Sequence, residues 1–237
     1  MTTPRIHSTP PEAVKERILE SVIVGEETFR IERPWGSDQL FDHPAVCSAY
    51  ASDEYIPYWA DLWPASRMLA KAILGELPVA KPTHALEIAC GLGLAGIAAL
   101  RRGYFVTFSD IDELAVTYAA DNARRNGFRE GIHFETAAID LRSPPADLAF
   151  DVLLGADLLY EERMVEPVVD FLCRTPMDFA WIADPDRQAA KPFKHLCREA
   201  GLELTATFAR AGEPGGERTK GTIYRVRKPT VRGTTVS

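Results

Sequence analysis

Between residues 84 and 201 the chain alternates short apolar runs with amphipathic stretches. Runs at 84–89, 104–110, 131–137, 150–156 and 178–183 have the length and composition of strands. Between them, at 94–102, 113–126, 161–173 and 187–201, apolar residues recur three or four positions apart, the spacing of one helix face. FDVLLGA at 150–156 is apolar throughout, as a central parallel strand covered on both sides must be. Two final segments, 202–210 and 219–228, alternate in polarity around the glycine-rich AGEPGGERTKG and predict an antiparallel pair. The pattern predicts an α/β chain with a mostly parallel sheet, helices on both faces and a closing hairpin. Ligands of such sheets bind beyond the carboxyl ends of the strands, where the strand order switches direction.

The segments before the core read differently. Residues 1–11 are expected to be a loose tail, 11–20 a short helix, and 21–31 a hairpin around Gly25 and Glu26. The stretch 41–64 is aromatic and proline-rich, which suits a loop or cap over a pocket, and 65–77 reads as a helix entering the core. The expected organisation is an N-terminal extension and cap over 1–56, one domain over 57–228 and a tail over 229–237.

At 237 residues with 46% hydrophobic composition, the chain suits one well-buried domain. A net charge of −7 argues against a broad nucleic-acid footprint, which needs clustered Lys and Arg. Cys47, Cys90, Cys173 and Cys197 form no CxxC pair, and the five histidines are scattered singly, so reduced thiols and no metal site are expected. No signal peptide or membrane-length apolar run is seen, and the expected location is cytoplasmic.

THALEIACGLGLAGIAALRRGYFVTFSD at 83–110 carries the candidate chemistry. Gly91, Gly93 and Gly96 permit a tight turn between strand and helix, and they also satisfy the dinucleotide fingerprint. The acids discriminate. Asp110 ends the second strand and has two acceptor oxygens for ribose hydroxyls, which suits NAD or S-adenosylmethionine. Glu87 precedes the turn, where a carboxylate would repel a pyrophosphate and attract an ammonium and a sulfonium. Asp140, Asp157 and Asp184 also fall at or just after strand ends.

Three further strings, PYWADLWP at 57–64, GADLLYEE at 155–162 and ADPDR at 183–187, are shared with a known family. With the glycine turn and terminal hairpin, the chain resembles a Rossmann-like class I methyltransferase of methyltransferase family 16 over 57–228. The resemblance implies a seven-stranded sheet, S-adenosylmethionine as cofactor, and a protein lysine as methyl acceptor, with electron transfer flavoprotein beta subunit as first candidate. It further implies that Glu87, Ala89, Gly91 and Gly93 cradle the methionine half of the cofactor. Asp110 and Ile111 would meet the ribose side, and Asp140 the adenine edge, with Trp63 and Ala156 lining the pocket. Asp157 and Tyr160 of the DxxY arrangement would be the catalytic pair in the acceptor channel.

Each role has a plainer alternative. Trp59 and Trp63 suit core packing as well as a pocket wall, Asn122 suits a structural role, and Asp140 a surface loop. Asp157 could instead cap the helix expected at 161–173. A small-molecule N-methyltransferase, with a nicotinamide-like amine as acceptor, is the alternative enzyme. A non-catalytic binding module would have no chemical need for Glu87, Asp110 and Asp157 together. An NAD-dependent oxidoreductase is a further alternative, which would need a proton donor placed at the nicotinamide.

Overall fold

The computed structural model describes residues 6–35, 40, 42–213 and 215–229. The first five residues of the expected tail, part of the expected cap (36–39 and 41), Pro214 of the glycine-rich loop and 230–237 of the C-terminal tail lie outside them.

A hairpin of β1 (Arg17–Val24) and β2 (Glu27–Pro34) opens the fold, with Arg17 opposite Pro34 and Val24 opposite Glu27. Val22 and Val24, with Phe29 and Ile31 from β2, are buried on its inner face. This overturns the expected helix over 11–20, of which only one 3-10 turn, Pro11–Ala13, forms. Cross-strand pairing outweighs the weak helical signal because β1 buries alternate residues only when extended. The stretch 41–64 is likewise more ordered than a loop. Helix α1 (Pro44–Asp53) starts at a proline, capped by the His43 ring accepting from the Ala45 N–H at 3.3 Å. Val46 is buried, but most other described side chains of α1 are exposed, so the segment carried no apolar stripe to announce a helix.

The core alternates as expected. It comprises α2 (Pro64–Gly75), β3 (His84–Ile88), α3 (Leu94–Arg101), β4 (Phe105–Asp110), α4 (Glu113–Arg125) and β5 (Phe134–Ala138). Then follow β6 (Val152–Ala156), α5 (Val165–Arg174), β7 (Phe179–Asp184), α6 (Phe193–Glu199), β8 (Glu203–Ala211) and β9 (Thr219–Arg227). The helix expected over 187–201 shrinks to a turn at Gln188–Ala190 and the short α6, because Pro192 cannot continue a helical hydrogen-bond ladder. Among the described residues the main sheet has seven strands in the order β5-β4-β3-β6-β7-β9-β8. The pairings are parallel from β5 to β7, and β9 runs antiparallel to both β7 and β8.

Successive residues of the central strands serve opposite cores. Val152 and Leu154 face the layer of α2, α3 and α4, while Leu153 faces that of α5 and α6. Trp181 and Ala183 join the first core, Ala180 and Ile182 the second. Two-sided burial is why FDVLLGA shows no polar alternation.

The hairpin is fastened to α4 by two asparagines one helical turn apart. Asn122 accepts from the Glu32 N–H at 2.7 Å and donates to the Glu32 carbonyl at 3.0 Å. Asn126 does the same with Arg30, at 3.1 and 2.9 Å. The side-chain amides thus satisfy backbone groups of β2 that would otherwise be left at a strand edge. Asn122 also donates to the Leu92 carbonyl at 3.1 Å and is therefore structural.

Candidate active site

After β5 the chain returns to place β6 against the other side of β3, so the crevice lies at the carboxyl ends of β3 and β6. A cavity of about 420 Å³ opens there. Trp63, Glu87, Ala89, Gly91, Gly93 and Asp110 line it. So do Ile111, Asp140, Ala156, Asp157 and Tyr160, which brings every expected site residue to one place.

The turn after β3 is built on positive φ at Ala89 (47°), Gly91 (51°) and Gly93 (79°). Ala89 is exposed at the end of the strand in a conformation unusual for a residue with a Cβ, a local strain typical of binding turns. Gly93 is required twice over, because a Cβ there would stand 2.9 Å from the Ala119 Cβ. Gly96 plays another part. Its missing side chain lets α3 settle against Phe108 and Glu87, and its N–H donates to Glu87 Oε2 at 3.0 Å.

Glu87 and Asp110 are both buried. Asp110 Oδ2 accepts the Gly91 N–H at 3.0 Å and Oδ1 the Asp112 N–H at 3.2 Å, tying β4 to the turn. Burial raises Glu87 to about 8, opposed by the Gly96 N–H and reinforced by the Asp110 charge. Burial likewise raises Asp110 to about 6, opposed by the Gly91 and Asp112 N–H groups. Among the described residues neither acid has a cationic partner. Two buried acids without a cation, beside a turn of backbone N–H groups, fit a ligand that brings positive charge and hydroxyl donors. Asp140 is buried too, with Oδ1 accepting the Arg142 N–H at 2.9 Å, which sets aside the surface-loop alternative.

Asp157 stands at the end of β6 with φ of 56° and does not cap the following helix. Its Oδ2 accepts the Ala65 N–H at 3.0 Å in the first turn of α2, and its Oδ1 takes Arg187 Nη2 at 2.7 Å and Nε at 3.1 Å. Arg187 also lies 5.5 Å over the Trp63 ring. The Asp184 carboxylate fixes Arg187 by accepting its backbone N–H at 2.8 Å across the turn after β7. Aromatic rings surround this pair. Tyr58 meets Trp63 edge-on at 5.8 Å and Tyr160 at 5.3 Å. Trp63 donates its Nε1 hydrogen to the Tyr58 carbonyl at 2.6 Å, whereas the deeper Trp59 packs on Tyr118 at 5.2 Å. The two tryptophans therefore share no helical face, since Trp59 lies in a 3-10 turn and Trp63 caps α2. Partial burial pushes the Tyr160 hydroxyl up to about 12, so it remains a proton donor at neutral pH.

Sequence reasoning missed Arg187, Tyr58, Tyr55 and His7 as wall residues. Arg187 and Tyr58 stood inside strings already singled out. Tyr55 stood in the aromatic stretch 41–64 expected to cap a pocket, whereas nothing local marked His7.

The lysine methyltransferase family matches residues 58–177, about half of the chain and the part that builds most of this cavity. The chain belongs to the lysine methyltransferase family. It is 28% identical over 120 residues to an electron transfer flavoprotein beta subunit lysine methyltransferase of Xenopus laevis, covering 50% of this chain and 47% of that one. It is 27% identical over 137 residues to the protein-lysine methyltransferase METTL21E of Bos taurus, covering 53% and 47%. The chain spans about half the length of the curated relatives it matches. A TehB-like SAM-dependent methyltransferase from Corynebacterium glutamicum superposes with a TM-score of 0.51 at 19% identity, over 79% of this chain and 100% of that one, which establishes the class I methyltransferase fold. The family's cofactor is S-adenosylmethionine, and the donor set of the cavity fits it. Glu87 and the Ala89–Gly93 turn would hold its amino-acid end, and Asp110 its ribose.

Proposed function

We propose that this chain transfers a methyl group from S-adenosylmethionine to the side-chain amine of a protein lysine, with residues 57–228 as the catalytic domain and 1–56 as its extension and cap. One observation carries the reading: an acid, Asp157, lies among Tyr58, Trp63 and Tyr160 in the cavity that also holds the Glu87–Asp110 cradle. Electron transfer flavoprotein beta subunit is the first acceptor to try, because relatives that carry that name match the chain. No described helix is long and apolar enough to cross a membrane.

The cofactor supplies an electrophilic methyl carbon on a sulfonium. The chain's task is then to bring a neutral amine into line with it and exclude water. A lysine at its ordinary pKa of about 10.4 needs roughly 4.6 kcal/mol to be neutral at pH 7, at about 1.36 kcal/mol per unit. The aromatic walls lower that cost by disfavouring the ammonium, whereas a bare Asp157 carboxylate would raise it. Arg187 moderates this conflict. Its guanidinium shares the Asp157 charge, so Asp157 can orient the amine through a hydrogen bond without holding it fully protonated. Tyr160 adds a hydroxyl and a channel wall.

The test is incubation with labelled S-adenosylmethionine and host extract, followed by mass spectrometry of the labelled species. Label on a protein lysine is expected. Label confined to small molecules overturns the reading in favour of a small-molecule N-methyltransferase.

A further inference from the structure

We propose that His7 and Tyr55 are binding residues for the nucleoside half of S-adenosylmethionine, and that the buried carboxylate of Asp112 is the positioning residue that holds them at the cavity. The inference rests on the cofactor reading above and concerns a wall outside the matched region 58–177.

The two rings stack on each other at 3.8 Å between centroids and 10° between planes. Both line the cavity beside Asp110 and Ile111, the strand end where the ribose acid stands. They come from distant parts of the chain and are brought together by hydrogen bonds around residues 111–113. The His7 N–H donates to the Ile111 carbonyl at 2.7 Å, and the Glu113 N–H to the His7 carbonyl at 3.0 Å. Asp112 then gathers four donors. Its Oδ1 accepts the Thr9 N–H at 3.2 Å and the Leu114 N–H at 2.8 Å, and its Oδ2 accepts the hydroxyls of Thr9 and Tyr55.

That carboxylate is fully buried and its acceptor capacity is filled. It can offer nothing to a ligand. Its work is spent on the N-terminal segment and on Tyr55, whose hydroxyl is held protonated well above the usual range by burial and by Asp112. The rings so placed remain only half-buried, which leaves aromatic surface at the nucleoside end of the pocket. Flat π surface beside a ribose acid suits a purine, which stacks on aromatic faces and has polar edges for the neighbouring Asp140.

The test is calorimetry on the full chain with S-adenosylmethionine, S-adenosylhomocysteine and 5′-methylthioadenosine, the last of which keeps the nucleoside and lacks the amino-acid group. His7→Ala and Tyr55→Ala are expected to weaken all three by about tenfold, and Tyr55→Phe, which keeps the ring, by less than the alanine variant. Amide hydrogen exchange at His7 and Glu113 should slow when S-adenosylhomocysteine is added to the wild type. If the wild type binds and His7→Ala and Tyr55→Ala both match it in affinity and exchange, the inference is overturned and the cofactor reading stands. If the wild type binds none of the three ligands, the cofactor reading fails and takes the inference with it. Should Tyr55→Ala fail to fold, His7→Ala decides alone, since it removes a ring and no buried hydrogen bond of Asp112.

Discussion

Arg187 grips a single oxygen of Asp157 through both Nη2 and Nε, and the other oxygen is taken by the Ala65 N–H at the start of α2. The acid expected to receive the acceptor amine is therefore also a joint between β6, the turn after β7 and α2. Methyl transfer by Asp157→Ala is expected to fall at least 100-fold while the Kd for S-adenosylmethionine changes little. Loss of cofactor affinity with intact turnover of the bound complex would show the role is misassigned.

Removing the guanidinium while leaving the acid tests the charge sharing. With Arg187→Met, an uncompensated Asp157 raises the pKa of the bound amine, so less of it is neutral at a given pH. The acid limb of the kcat profile, which reports groups in the bound complex, should move to higher pH, with turnover recovering in alkaline buffer. A profile that keeps its midpoint and only drops in height would mean Arg187 is merely structural.

Asp110 has the opposite signature. Its oxygens already accept backbone N–H groups but have lone pairs left for hydroxyls. Hydrogen bonds to a charged acceptor are worth about 1.5–3 kcal/mol, so Asp110→Ala should weaken S-adenosylmethionine by one to two orders of magnitude in calorimetry. Unchanged affinity would remove Asp110 from the cofactor site.

The burial of Glu87 gives a pH prediction with a definite sign. Its folded value, about 8, lies above its ordinary value of 4.5, so between these pH values the folded state holds a proton that the unfolded state has lost. Stability of the cofactor-free protein should therefore fall as pH rises from about 5 to 8. Glu87→Gln should flatten that decline in thermal melts. Binding a cationic cofactor favours the carboxylate, so binding near pH 7 should release a proton, measurable by calorimetry in buffers of differing ionisation enthalpy. No proton release would indicate that Glu87 is not ionised by the ligand.

Gly96→Ala isolates the packing role of the third glycine. A Cβ there would overlap Phe108 Cε1 and stand 2.5 Å from Glu87 Oε2. Overpacking of this kind costs about 1–3 kcal/mol, and it displaces the Glu87 carboxyl, so a lower Tm and weaker cofactor binding are expected together. A variant as stable as the wild type would show that α3 can shift freely.

Much of the fold was legible because strand and helix periods are local. Two-sided burial of Val152, Leu153 and Leu154 leaves a continuous apolar run, and the glycine turn with its flanking acids marks the cavity. Two segments depart from the local reading. Most described side chains of α1 are exposed, and the first half of β1, Arg17–Glu20, is drawn into the strand by its pairing with Ile31–Pro34 of β2.

The strand-and-helix order, the Ala89–Gly93 turn and the acids at strand ends follow from local stretches of chain, since each depends on near neighbours. What those acids touch depends on the packed fold. Asp112 collects Thr9 and Tyr55 across 103 and 57 positions, and Asp157 meets Arg187 and Ala65 across 30 and 92. No local period encodes such meetings, because they exist only once strand order and helix packing have fixed which strand end faces which loop.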